Sequence, residues 1–234
     1  MIDINCDLGE GFHNEHMIMP LISSCNISCG AHAGSIEIID KVIQLAVQHN
    51  VKIGAHPSFP DRQNFGRKVL NISNSELQKS LEDQLTVFKE RALLQDATIH
   101  HVKPHGALYN LIAVNREKAS VVIAAIQHVF EAVKLYVPYK SSIEEVAAQS
   151  GLEIVYEAFA DRRYNEDLSL VSRTFSNALI EDKHEVLKQV QKISDKQLVT
   201  TVNFHEKKIK ASTFCVHGDT KNAIEILEYL HKHL

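Results

Sequence analysis

The chain has 234 residues, of which 44% are hydrophobic and 23% charged, an ordinary globular mixture at the size where α/β barrels occur. Its formal charge of −4 gives no electrostatic reason to expect nucleic acid or an anionic membrane as a partner. No apolar run approaches the roughly 20 residues that span a bilayer. The acidic start, with Asp3, Asp7 and Glu10 and no Lys or Arg, is unlike a secretory leader, so a cytoplasmic protein is expected.

Short β-type segments alternate with helical patterns. Strands are predicted over 2–8, 25–29, 51–55, 99–103, 133–137, 153–157 and 211–216. Between them, Ile36, Ile39, Ile43 and Val47 share a helical face, as do Leu77, Leu81, Leu85, Phe88 and Ala92. Ser73-x-x-Glu76 and Ser141-x-x-Glu144 have the form of capping boxes. Gly151 stands where a helix would end, and Ile224, Leu227 and Leu230 mark a terminal helix. The stretch 197–204 reads as an extra strand that could form a hairpin with the last one. About seven β/α units without a Pro/Gly/Ser-rich linker predict one domain, 1–234.

Alternation within the strands carries the functional signal. Ile2, Ile4, Cys6 and Leu8 point one way, and Asp3, Asn5 and Asp7 the other. Cys25, Ile27 and Cys29 oppose Asn26 and Ser28, while His101, Lys103 and His105 share a face. Strands of an ordinary parallel sheet are apolar on both faces. Here a polar face must either satisfy itself or meet a ligand, which predicts a polar-lined barrel with a site at its C-terminal mouth. Cys6, Cys25, Cys29 and Cys215 have no CxxC spacing and are expected to be reduced and structural.

Polar groups cluster after five strands: Asp7 and Glu10, His32, His56, Lys103 with His105, and His217 with Asp219. Four histidines at strand ends, His32, His56, His105 and His217, are expected to share one pocket. Asp7 and Glu10 suit general bases, metal ligands or a helix cap. Lys103 is costly to bury unless paired with a carboxylate or an anionic ligand. The long segment 56–67 reads as a functional lid, in which Arg62 and Arg67 could grip an anion. A second long segment, 159–180, offers Asp161, Arg162, Tyr164 and Arg173. There is no GxxxxGK(S/T) phosphate loop, GxSxG elbow, HExxH or Rossmann glycine fingerprint.

These clusters resemble the successive motifs of the LamB/YcsF family: Asp3–Gly11 (DINCDLGEG), Asn26–Gly34 (NISCGAHAG), Ile53–Arg67 (IGAHPSFPDRQNFGR), His101–Asn110 (HVKPHGALYN), Phe159–Arg162 (FADR) and Cys215–Asp219 (CVHGD). The resemblance implies a distorted β/α barrel of about seven strands, related to carbohydrate deacetylase and glycoside hydrolase barrels. It also implies ATP-dependent opening of 5-oxoproline to glutamate, with ATP as co-substrate and separate B and C subunits as partners. On that basis Asp7, Glu10, His56, Lys103, His105 and Asp161 are expected to be catalytic. Asn26, His32, Arg62, Arg67, Tyr109, Arg173 and His217 are expected to bind substrate.

Ser35, Arg163, Ser172 and the PYKSS turn after Val137 depart from the family pattern and bear on loop geometry. Two rival readings stand beside this one. The first is a metal-dependent amide or ester hydrolase such as a deacetylase, a divalent ion being held by Asp7, His32 and His105. The second is a non-catalytic subunit that only presents the lactam.

Overall fold

The computed structural model describes residues 2–234. In chain order the elements are β1 (Asp3–Leu8), α1 (Glu15–Ile18), a 3-10 turn (Met19–Leu21), β2 (Ser24–Ser28), α2 (Ile36–Gln48), β3 (Lys52–His56), α3 (Asn74–Leu93), β4 (Ile99–Val102), α4 (Gly106–Val114) and α5 (Arg116–Val129). Then follow β5 (Lys134–Pro138), α6 (Ser142–Ser150), β6 (Ile154–Phe159), α7 (Lys183–Lys196), β7 (Leu198–Thr200), β8 (Glu206–Lys208), β9 (Thr213–His217) and α8 (Ala223–His233).

The strands β1, β2, β3, β4, β5, β6 and β9 form a closed barrel in that order, with β9 returning to β1. All pairings in it are parallel, and the β3–β4 ladder shifts register between Ile53 and Gly54. Each of the seven predicted strands is present, displaced by no more than two residues. The stretch 197–204 departs from expectation. Leu198–Thr200 pairs antiparallel with Glu206–Lys208 in a separate two-stranded sheet, not with the last barrel strand. Both edges of β9 are already taken by β1 and β6.

The helices cover the apolar side of the strands. In α3, Leu77, Leu81, Leu85, Phe88 and Ala92 are buried, and Ser73 with Glu76 closes a complete capping box. In α2 the buried stripe is Ile39, Val42, Ile43 and Ala46. The predicted flanks Ile36 and Val47 stay half exposed, because at about 100° per residue they lie at the edges of that stripe. Ser141 caps α6 through Glu144 N. The Glu144 carboxylate goes to Lys140 N and to the Tyr156 hydroxyl, so the reciprocal half of the predicted box is not formed. Gly151 ends α6 in the left-handed region at φ 75, where a side chain is strained.

All four cysteines are free and buried. Among the described residues no helix is long and apolar enough to cross a membrane.

Candidate active site at the barrel mouth

Strand alternation puts Asn5, Asp7, Asn26, His101, Lys103, Glu157 and Cys215 inside the barrel, all buried. Such a polar interior survives only if its groups satisfy one another, and they do so in two layers. Lower down, His101 Nε2 donates to Asn26 Oδ1 at 2.7 Å, and the imidazole stacks on Tyr136 at 3.8 Å between ring centroids. Its ring lies directly over Gly54, where an added Cβ would sit 2.1 Å from Nε2. Asn26 in turn donates to Asn5 Oδ1 at 2.7 Å and to Asp7 Oδ1 at 2.8 Å.

Above this layer stands Lys103. Its Nζ lies 2.9 Å from Asp7 Oδ1, 3.0 Å from Glu157 Oε1 and 3.0 Å from Cys215 Sγ. Burial disfavours the ammonium, but Asp7 and Glu157 overcome that, and the Lys103 pKa is held well above its ordinary value. Burial likewise opposes ionisation of Asp7, yet His56 and Lys103 hold its carboxyl well below the usual range. The Cys215 thiol is pushed up by burial and stays neutral.

At the strand ends the predicted groups converge. Glu10 accepts from His32 at 3.1 Å and lies 3.2 Å from His105 Nδ1. His56 Nε2 lies 2.9 Å from His105 Nδ1 and 3.4 Å from Asp7 Oδ2. His32 stacks face to face on His105, centroids 3.8 Å apart and planes 5° from parallel, and burial pulls its pKa down to about 4. On the far side, His217 Nδ1 donates to Asp161 Oδ1 at 2.9 Å, and Asp161 also accepts from His217 N and Thr220 Oγ1. Asp7 and Glu10 do not cap a helix: α1 begins after Asn14.

A cavity of about 720 Å³ opens over this floor, lined by Asp7, Glu10, His56, Lys103, His105, Glu157 and His217, within the usual size of small-molecule sites. Tyr109, Arg67 and Arg173 line it as well. The two arginines are bound to one carboxylate, Asp219, which braces the rim. Four predicted residues do not line it. Asn26 lies below in the barrel, His32 stands behind Glu10, and Asp161 is buried behind His217. Arg62 donates to the carbonyls of Gly30 and Gly34 at 2.6 and 2.7 Å, which makes it a loop brace.

The lid is also displaced from expectation. Of the segment 56–67, only His56 and Arg67 reach the cavity. Phe59 is buried in the core, and the carbonyls of Phe65 and Gly66 accept from His105 Nε2 and Ala107 N. The covering role falls to the second long segment, which contributes Arg162, Tyr164 and residues 167–174.

Arg162 is the site residue that sequence reasoning left without a role. It is 6% exposed and lines the cavity. It donates to Val171 O at 2.6 Å, its Nε has no partner, and no carboxylate pairs with it among the described residues. Burial and the nearby Arg173 charge push its pKa down. Two further buried polar atoms without partners, Glu157 Oε2 and the Tyr109 hydroxyl, belong to residues on the same lining. Burial and then Glu157 raise the Tyr109 phenol, although the two are not in hydrogen-bonding geometry.

Residues 2–234 match the LamB/YcsF family. The chain belongs to that family. The A subunit of 5-oxoprolinase from Bacillus cereus strain B4264 is 39% identical over 99% of this chain and 94% of its own length. Its counterpart from Bacillus thuringiensis subsp. konkukian strain 97-27 shows the same identity and coverage. The crystal structure of a lactam utilization protein from Thermus thermophilus superposes with a TM-score of 0.92 at 32% identity, covering 99% of this chain and 94% of that one. A GH113 β-1,4-mannanase aligns with a TM-score of 0.54 at 11% identity over 99% of this LamB/YcsF chain and 98% of its own; that likeness is one of barrel fold alone.

Proposed function

We propose that this LamB/YcsF chain is the A component of an ATP-dependent 5-oxoprolinase, opening the lactam of 5-oxoproline to glutamate together with B and C subunits. One observation carries the reading: a buried arginine without a carboxylate partner faces the same cavity as the Lys103–Asp7–Glu157 network. The relatives' names supply the substrate class. 5-Oxoproline is small, carries one carboxylate and has a poorly electrophilic amide, and the cavity offers a separate group for each of these features.

Arg162 receives the substrate carboxylate, since Arg67 and Arg173 are already engaged by Asp219 and Arg62 points elsewhere. The ring carbonyl lies toward Lys103, whose fixed ammonium stabilises negative charge developing on oxygen. His217, with Nδ1 committed to Asp161, has Nε2 as its free nitrogen and moves the proton between water and the ring nitrogen. Asp7 is left out of this role, because its carboxyl is held well below the usual range.

ATP enters as a co-substrate that phosphorylates the lactam oxygen. Water then adds to the ring carbon and the C–N bond breaks to leave an acyl phosphate, which a second water splits into glutamate and phosphate. The chain has no phosphate loop, so we assign phosphorylation to the partner subunits and hydrolytic opening to this one. The deciding experiment is glutamate release from 5-oxoproline, with and without ATP, by the isolated chain and by the chain reconstituted with candidate B and C subunits. ATP-dependent release only from the full set supports the assignment. Robust ATP-dependent turnover by this chain alone would place activation here, and no release from the full set would remove the function.

A further inference from the structure

The two histidines at the ends of β3 and β4 pose an accounting problem. His56 Nδ1 lies 2.6 Å from Lys103 O, and His105 Nε2 lies 2.9 Å from Phe65 O. A backbone carbonyl can only accept, so both of those nitrogens carry hydrogen. In neutral imidazoles the remaining nitrogens, His56 Nε2 and His105 Nδ1, are then both lone pairs. They face each other at 2.9 Å, with Glu10 Oε1 3.2 Å from one and Asp7 Oδ2 3.4 Å from the other. Four acceptor atoms point at one another with no donor between them, so a cation belongs there.

We propose that this cation is a divalent metal of the zinc class, held by His56 Nε2, His105 Nδ1, Glu10 and Asp7. Four of the six ligand-to-ligand separations, 2.9, 3.2, 3.4 and 3.9 Å, bracket the edge of about 3.3 Å that tetrahedral bonds of roughly 2.0–2.1 Å require. Both imidazoles are oriented by backbone carbonyls, the arrangement that fixes ligating histidines elsewhere. Charge points the same way: Lys103 pairs with Asp7 and Glu157, whereas the Glu10 carboxylate has only the imidazoles of His32, His56 and His105 beside it. All four ligands line the cavity, so a bound ion has an open side toward it.

His32 is excluded from this set, although its Nε2 is near. An ion coordinates in the plane of an imidazole, and the planes of His32 and His105 are parallel and stacked, so no ion lies in both. The proposed set differs from the trio Asp7, His32 and His105 of the rival metal-dependent reading: His56 takes the place of His32, and His32 orients Glu10 through their 3.1 Å contact.

The test uses the purified full chain, stripped with a chelator and titrated with Zn²⁺ and Co²⁺. The expected result is one tightly bound equivalent per chain, a raised melting temperature, and visible Co²⁺ bands of a four-coordinate site. His56→Gln and His105→Gln should each weaken binding at least about 100-fold, and His32→Gln by about 10-fold with the Co²⁺ bands retained. If either ligand variant fails to fold by circular dichroism, Glu10→Gln and the wild-type Co²⁺ spectrum decide. The proposal is overturned by absence of saturable uptake up to about 100-fold molar excess of Zn²⁺. It is equally overturned by uptake indifferent to His56→Gln, or by imidazole ¹⁵N shifts showing a shared proton in a chain without zinc affinity. Metal uptake is read without substrate or partners, so its failure and a failure of 5-oxoproline turnover are separate results.

Discussion

Lys103 Nζ lies 2.9 Å from Asp7 Oδ1, across the barrel from β4 to β1, with both groups almost wholly buried. That pair joins stability to chemistry. Truncating one member of a buried pair leaves the other charge uncompensated, at a cost of roughly 3–5 kcal/mol. Lys103→Met is therefore expected to lower the melting temperature by about 10 °C in a chain of this size. It should also cut reconstituted activity per folded molecule by roughly 10²-fold. An unchanged melting temperature would show that the pair contributes nothing to the fold.

Gly54 is expected to tolerate no side chain. An alanine Cβ would meet the His101 imidazole at 2.1 Å, and that ring is pinned by Asn26 and Tyr136. Gly54→Ala should destabilise by more than about 3 kcal/mol. Gly151→Ala meets only open space and a left-handed φ of 75, so it should cost about 1 kcal/mol. Denaturant melts of both variants give the comparison, and equal losses would disprove the role of the His101 contact.

Arg162 separates binding from folding. It has no carboxylate partner to abandon, so Arg162→Met should leave the melting temperature within a few degrees of wild type. In the reconstituted enzyme, kcat/KM for 5-oxoproline should fall about 10²-fold, the scale of one charge-assisted bidentate contact, mainly through KM. Arg62→Met, away from the cavity, should leave KM unchanged. A normal KM in Arg162→Met would return the carboxylate to another group.

The cysteines give a pH prediction. Burial pushes the thiols of Cys25 and Cys29 up to about 12, so at about pH 8 all four cysteines should resist a thiol reagent until the chain is unfolded. Above about pH 9 the unfolded chain's thiols ionise while the folded ones keep their protons. The folded state then binds more protons, and stability falls as pH rises from about 9 to 12, by up to about 1.4 kcal/mol per pH unit per thiol. Rapid labelling of native protein would contradict the burial.

Much of this was legible in the sequence because alternation is a local property. The period of two in Asp3–Leu8 and in 99–103 assigned Asn5, Asp7, His101 and Lys103 to the polar side, and all four are inside the barrel. Glycine-flanked clusters at strand ends marked His56, His105 and His217 as mouth residues, and they line one cavity, with His32 one contact behind.

The sequence by itself thus determined the barrel, its polar interior and the end that carries the site. Only the tertiary structure decided which groups meet across it. Periodicity says which way a side chain points, but not which strand stands opposite once seven strands close into a ring. Glu157 and Cys215 join Lys103 solely through that closure. Arg62, Arg67 and Arg173, expected to bind substrate, and Arg162, which was given no role, all lie in long loops, and loop paths carry no period. The structure commits Arg67 and Arg173 to Asp219 and Arg62 to two carbonyls, leaving Arg162 buried and free to meet an anion. The same holds for His32 and His56: their strand-end positions are alike in sequence, and the 5° stacking of His32 on His105 arises only when β2 and β4 close around β3.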